Sequence, residues 1–164
     1  MVIETYRPLL HEIFMKVNNK KDKPGKIKIL RQYQSEGMKK LLKAAFDPNI
    51  KWLLPPGAVP YKANEAPDGT DHTRLEQEAS TLNNYVALTH EGTVYEGNPR
   101  LNKMKREMLF VQMLEGLSSG EAEILIAAKD KSLNKKYKGL NANTVKEAFN
   151  WDENYKAQGV PVLA

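Results

Sequence analysis

Between Lys129 and Lys146 the chain carries six cations (Lys129, Lys131, Lys135, Lys136, Lys138 and Lys146) against one acid, Asp130. The stretch that follows, from Asn141, has the form of a helix start. Asn141 is a fair N-cap, and the backbone N–H groups from Asn141 through Asn143 to Thr144 would face outward beside those lysines, with no acid before Glu147. Side chains and dipoles of this kind do one chemistry well: they hold phosphate oxygens. Two further clusters repeat the charge. Arg100, Lys103, Lys105 and Arg106 lie together without an acid, and residues 16–51 hold eleven Lys or Arg against Asp22, Glu36 and Asp47. Residues 52–99 are the reverse, with seven acids and two cations. Segregation of charge on this scale is the footprint of a polyanion binder.

Residues suited to bond-making chemistry are few. The three histidines (His11, His72, His90) are scattered, and the chain has no cysteine, which removes disulfides, thiolate metal sites and cysteine nucleophiles. Asp68, Asp71 and His72 in DGTDHT could hold a metal, yet turns and helix caps demand the same residue types. There is no G-x-x-x-x-G-K-[ST], H-E-x-x-H or G-x-S-x-G pattern. Trp52, Tyr61 and Tyr95 have faces on which unpaired bases stack, although core packing under a proline loop is the stronger reading for Trp52. The expectation is therefore a binding protein with no catalytic residue, no metal and no cofactor.

The elements that would position these side chains read as helices. Pro8 precedes a stripe of Leu9, Leu10, Ile13, Phe14 and Val17, and Pro24 starts a helix with Ile27, Leu30 and Tyr33 inward. A third helix, Glu36 to Phe46, buries Met38, Leu41, Leu42, Ala45 and Phe46 before Pro48 stops it. Five prolines in residues 47–71 (Pro48, Pro55, Pro56, Pro60, Pro67) make this an ordered irregular segment, with 52–71 as a proline-rich loop and room for a short strand at 50–54. Thr70 or Asp71 would cap a helix over 72–88 with Leu75, Ala79, Leu82 and Val86 inward, and 90–97 reads as a loop or small hairpin arm. Asn98 and Pro99 would open the longest helix, to Leu117, with Leu101, Met104, Met108, Val111 and Leu114 inward. Ser118 and Glu121 have capping-box spacing ahead of Ala122, Ile124, Leu125, Ala127 and Ala128. Gly139 would take a positive φ before the last helix, whose Val145, Ala148 and Phe149 share a face. The fold expected is a single all-α domain of six or seven short helices over residues 1–151, with an ordered proline-rich loop and a tail at 152–164. The N-terminus has no signal-peptide pattern and no apolar run approaches the ~18 residues a membrane span needs, so a cytoplasmic protein with no membrane partner is expected.

The stretch KDKPGKIKILRQYQSEGMKKLLKAAFDPNIKW resembles the opening of the ATP-dependent DNA ligases of T-even-like phages, which run through a lysine-rich link, a K-x-x-I-L helix and an L-L-K segment ending in (D/N)-P. Residues 118–149 are similar to the end of the same ligase domain: an E-A-E-x-L helix, a D-(K/R)-x-L turn and a short helix closing on an aromatic. The whole chain also resembles a family of small uncharacterised proteins of T-even-like phages and cyanophages. The ligase resemblance implies an all-helical module that grips the backbone of double-stranded DNA. It places Lys129, Lys131 and Asn141 to Thr144 at the matching turn and helix start, and Lys103, Lys105 and Arg106 at the basic segment. The ligase nucleophile belongs to a K-x-D-G motif, and here Asp68-Gly69 follows Ala66 where that lysine would stand. Residues 52–71 depart from the ligase pattern.

The reading that follows is a phage-encoded accessory protein in the host cytoplasm. It would bind double-stranded DNA without sequence preference or ligase chemistry, through Arg100, Lys103, Lys105, Arg106, Lys129, Lys131, Lys135, Lys136, Lys138 and the helix start at Asn141, Asn143 and Thr144. The rival is an adaptor for a phage replication, transcription or virion protein, recognising its partner through 52–71. A small metal-dependent nuclease using Asp68, Asp71, His72 or Glu76 stands third.

Overall fold

The computed structural model describes residues 8–64, 73–153 and 155. Three helices with short polar links come first: α1 (Leu10–Asn19), α2 (Lys23–Gln32) and α3 (Glu36–Phe46). Asp22 accepts the Gly25 N–H at 3.0 Å and Ser35 the Met38 N–H at 3.1 Å, each taking one donor that a helix start leaves open. Of the stripes read from the sequence, Leu10, Ile13, Phe14 and Val17, then Leu30, then Met38, Leu41, Leu42 and Ala45 bury, whereas Ile27, Tyr33 and Phe46 are only partly covered.

The all-α expectation fails between residues 50 and 96. Among the described residues the fold is mixed, with eight α-helices and one three-stranded antiparallel sheet. Strands β1 (Ile50–Trp52), β2 (Val86–His90) and β3 (Thr93–Glu96) lie in that order, with Ile50 opposite Leu88 and Leu88 opposite Tyr95. The helix expected over 72–88 shrinks to α4 (Leu75–Glu78), a 3₁₀ stretch Ala79–Asn84, and then β2. The reason is strand pairing, which outweighs the helical period. Leu75, Ala79 and Leu82 do bury, which mimics a helical period, but the chain runs as a 3₁₀ stretch from Ala79 and leaves helical geometry after Asn84. VALTH then pairs with TVYE through Glu91 and Gly92, both at positive φ, the geometry that two-residue hairpins require. The expected cap at Thr70 or Asp71 and the DGTDHT histidine lie outside the described residues.

The longest helix, α5 (Lys103–Gly116), starts at Asn102, whose side chain accepts the Lys105 N–H at 2.8 Å, and not at Asn98. Its inward face is rotated from the expected one, although Leu114 is buried as expected. Arg106, Phe110, Met113 and Leu114 are buried, whereas Met104 is 82% exposed. Two helices and a turn follow: α6 (Ser119–Lys129), α7 (Leu133–Lys136) and α8 (Ala142–Ala148), with Ser118 and Asn141 as N-caps. Gly139 does not use a positive φ. The left-handed residue of this turn is Lys131, at φ 55°. Beyond α8, Tyr155 is buried and donates to the Phe46 carbonyl at 3.1 Å, so the start of the expected tail is docked.

Glu121 ties three helices together. Its backbone N–H reaches the Ser118 hydroxyl at 3.3 Å, half of the expected capping box. Its carboxylate, however, accepts the Leu10 N–H at 2.9 Å and the Leu75 N–H at 3.0 Å, the first N–H groups of α1 and α4. Burial raises the pKa of this carboxyl, and the two backbone donors oppose that rise.

Two buried tyrosines set an alkaline limit. Tyr137 packs edge-on to Phe14 at 5.9 Å and Tyr85 to Phe110 at 5.3 Å. Desolvation pushes both hydroxyls from 10.0 to about 12, with Glu123 and Glu78 adding repulsion. An acid with a raised folded pKa contributes stability that is whole below its unfolded pKa and is lost as pH climbs to the folded value. Unfolding in urea should therefore become easier between pH 10 and about 12, by up to about 2–3 kcal/mol per tyrosine. Tyr137→Phe should remove part of that loss. Lys131 works the other way, since desolvation lowers it to about 8 against an opposing pull from Asp47. Its share of stability rises from pH 8 to about 10, below the tyrosine window.

Candidate nucleic-acid interface

Two of the three basic segments meet. Gly139 N–H donates to Asn18 Oδ1 at 3.1 Å, and a Cβ on Gly139 would lie 2.7 Å from Lys26 Nζ and 3.3 Å from Asn18 Cα. The glycine is thus required by close approach of the α7–α8 turn to the α1–α2 link. This contact brings the exposed Lys135 and Lys138 to the side of the molecule that carries the exposed Lys20 and Lys21. None of the four has an ion-pair partner among the described residues. The neighbouring acids are engaged: Asp22 caps α2, and Glu147 pairs with Lys23 at 3.0 Å. The result is a set of exposed ammonium groups on two joined turns, none of them in an ion pair among the described residues.

Other expected contacts are withdrawn from solvent. Arg106 is 6% exposed, donates to the Asn84 and Leu101 carbonyls at 3.0 and 2.9 Å, and faces Glu96 at 3.9 Å. Lys129 is 5% exposed and donates to the carbonyls of Pro55 and Gly57 and to Asp130 at 2.6 Å. Lys131 is exposed, but its ammonium is engaged, donating to the Ala44 and Asp47 carbonyls at 2.7 and 2.8 Å. Lys136 pairs with Glu123 at 2.9 Å. Thr144 is buried and its N–H is taken by Asn141 Oδ1 at 2.9 Å. The anion seat expected at Asn141, Asn143 and Thr144 is therefore partly closed by its own cap, on a helix of seven residues. Arg106, Lys129, Lys131 and Thr144 are corrected from phosphate contacts to internal ones.

The third basic segment stands at the foot of the hairpin, where Arg106 meets Asn84 and Glu96. Arg100, Lys103 and Lys105 are exposed there. Sequence reasoning also missed cations that close helix ends. Lys26 Nζ donates to the Val17 and Lys20 carbonyls, and Arg31 donates to the Glu147 and Ala148 carbonyls at 3.1 and 2.8 Å. Each reads backbone carbonyls that a helix C-terminus leaves unsatisfied, where a positive charge also suits the dipole.

The proline-rich segment is fastened the opposite way, by carboxylates that accept its backbone N–H groups. Gly57 N–H donates to Asp130 Oδ1 at 3.0 Å and Lys62 N–H to Glu115 Oε2 at 2.8 Å, on either side of the exposed Pro55, Pro56 and Pro60. Of the three aromatics read as stacking faces, Trp52 is buried with its indole N–H on the Ala44 carbonyl at 3.0 Å, and Tyr61 is partly covered. Tyr95 is 55% exposed. Asp68, Asp71 and His72 lie outside the described residues, and Glu76 accepts the Ser35 hydroxyl at 3.0 Å. Among the described residues no three His, Asp or Glu side chains are grouped to hold a metal, and no helix is long and apolar enough to cross a membrane.

Fold and surface together define a class: a small mixed helix-and-sheet domain with a lysine patch where two turns meet. The chain belongs to the family of unknown function DUF6433, whose model matches residues 13–135. No curated protein and no solved structure matches it.

Proposed function

We propose that this protein binds the backbone of double-stranded DNA, without base preference and without catalysis. The observation that carries the reading is the patch of Lys20, Lys21, Lys135 and Lys138, exposed and free of acid partners among the described residues on either side of the Gly139–Asn18 contact. Arg100, Lys103 and Lys105, exposed at the hairpin foot, lie outside this patch and provide its charge-matched comparison. Ammonium groups held this way recognise spacing of negative charge and carry no base readout. Four phosphates neutralised at the patch give a log–log dependence of affinity on salt with a slope of about −3 to −4. Duplex affinity measured by fluorescence anisotropy should fall roughly a hundredfold for a fourfold rise in salt. Salt-independent affinity, or no duplex binding at low salt, sinks the proposal.

The fastening of the proline-rich segment by Asp130, Lys129 and Glu115 favours a second reading, in which its exposed prolines form a preorganised surface for a protein partner. Nuclease treatment separates the two readings: a partner held by protein contacts stays bound, whereas one bridged by DNA is released.

A further inference from the structure

A cavity of about 320 Å³ lies between α3 and the β2–β3 hairpin, at the small end of the range for sites that hold a single small ligand. Its lining is mostly apolar, with buried Ala44, Leu82 and Ala87 beneath the half-exposed Leu88 and Tyr95, which lie directly across the ladder from each other. Its rim holds Lys40 and Lys43, three apart on one face of α3, together with Asn83; no acidic side chain lines it. Neither lysine has an ion-pair partner among the described residues, and the one hydrogen bond from Lys40 is a long 3.4 Å contact to the Ser80 carbonyl. The platform is fixed. A Cβ on Gly97 would lie 2.3 Å from the Asn83 carbonyl, and the Asn98 amide donates to Asn84 at 3.0 Å, so the hairpin foot is fastened to the 3₁₀ stretch.

We infer that this cavity takes one unpaired base of single-stranded DNA, stacked on Tyr95, with the flanking phosphates held by Lys40 and Lys43. An open aromatic face beside cations is the combination by which single strands are held without base preference. The missing acidic charge selects an anionic occupant, and the side-chain amide of Asn83 is a donor and acceptor within reach of a base edge. The inference extends the duplex-binding reading and rests on different residues, so the two can fail separately.

The test uses the full chain, a labelled oligothymidylate and a labelled blunt duplex, compared by fluorescence anisotropy at fixed salt. Tyr95→Ala should weaken oligothymidylate binding about tenfold and leave duplex binding unchanged, while Tyr95→Phe restores the single-strand affinity because the ring alone does the stacking. Lys43→Glu should weaken the same complex and flatten its salt dependence. Oligothymidylate binding that is absent in the wild type, or indifferent to Tyr95→Ala, overturns the inference and leaves the duplex reading standing. Single-strand binding lost with Tyr95, in a protein that ignores duplex DNA, supports the cavity and removes the duplex reading. If oligothymidylate fails to bind and a synthetic peptide of alternating Glu and Leu binds in a Tyr95-dependent way, the cavity belongs to a protein partner and the inference is wrong.

Discussion

Glu121→Ala should lower the unfolding free energy by about 3–5 kcal/mol, among the largest losses available to a single side chain here. The carboxylate is fully buried and accepts the first N–H groups of both α1 and α4. Truncation leaves two buried donors without an acceptor, at about 1–3 kcal/mol each, and opens a void beside them. Glu121→Gln should fall between, because its carbonyl can keep one N–H while its NH₂ confronts the other. Glu123→Ala two residues away is the control: its side chain is exposed and pairs with Lys136, so it should change stability by less than about 0.5–1 kcal/mol. Thermal unfolding followed by circular dichroism reads the series, with a fall of about 10 °C expected for Glu121→Ala. A Glu121→Ala protein that melts with the wild type would mean that solvent or another group satisfies both donors.

That carboxylate shows where sequence reasoning stopped. Ser118 and Glu121 signalled a helix start, and α6 does begin there. Nothing in the spacing shows that the glutamate side chain turns away from its own helix to helices 46 and 111 positions away. Local signals fared well where one element decides its own shape: the caps at Ser118 and Asn141, the stripes of α1 to α3, and Pro24 in the first turn of α2. They failed where tertiary pairing outweighs local preference. Leu75, Ala79, Leu82 and Val86 fit a helical period, yet Val86 opens a strand opposite Trp52, and TVYE folds back across Glu91-Gly92 to pair with the rest of that strand. On α5 two methionine-bearing turns suggested the inward face, but the helix rotates so that Phe110 meets Tyr85 and Arg106 reaches the Asn84 carbonyl.

The basic surface was legible in the same partial way. Composition counts a lysine once, whether its ammonium faces solvent or a carbonyl. Lys26, Arg31 and Lys131 close helix ends, and Lys129 holds the proline-rich segment. Charge density therefore located the face but overstated it, because part of the positive excess is internal chemistry. What distinguishes Lys20, Lys21, Lys135 and Lys138 is that no acid pairs with them among the described residues, whereas Lys23, Lys39, Lys136 and Lys146 each have one; that is a property of three-dimensional neighbours that no spacing along the chain contains.

The four exposed lysines can be tested as a unit. Reversing Lys20, Lys21, Lys135 and Lys138 to Glu together should cut duplex affinity at low salt by on the order of a hundredfold or more and bring the salt slope close to zero. Each replaced ammonium removes about one unit of slope, and each new carboxylate adds repulsion from the phosphates. The fold should tolerate the change, since all four are exposed and none bridges to an acid among the described residues; surface substitutions of this kind stay within about 0.5 kcal/mol. Net charge must be separated from placement. Reversing Arg100, Lys103, Lys105 and Lys51, also exposed, shifts the net charge equally but leaves the Gly139 junction intact. If placement governs binding, this second variant keeps most of its affinity and a steep salt slope. Equal losses from both variants would mean that a diffuse positive field, and not the junction of the two turns, attracts the DNA. An unaltered affinity in the first variant would reduce the patch to a solvated surface.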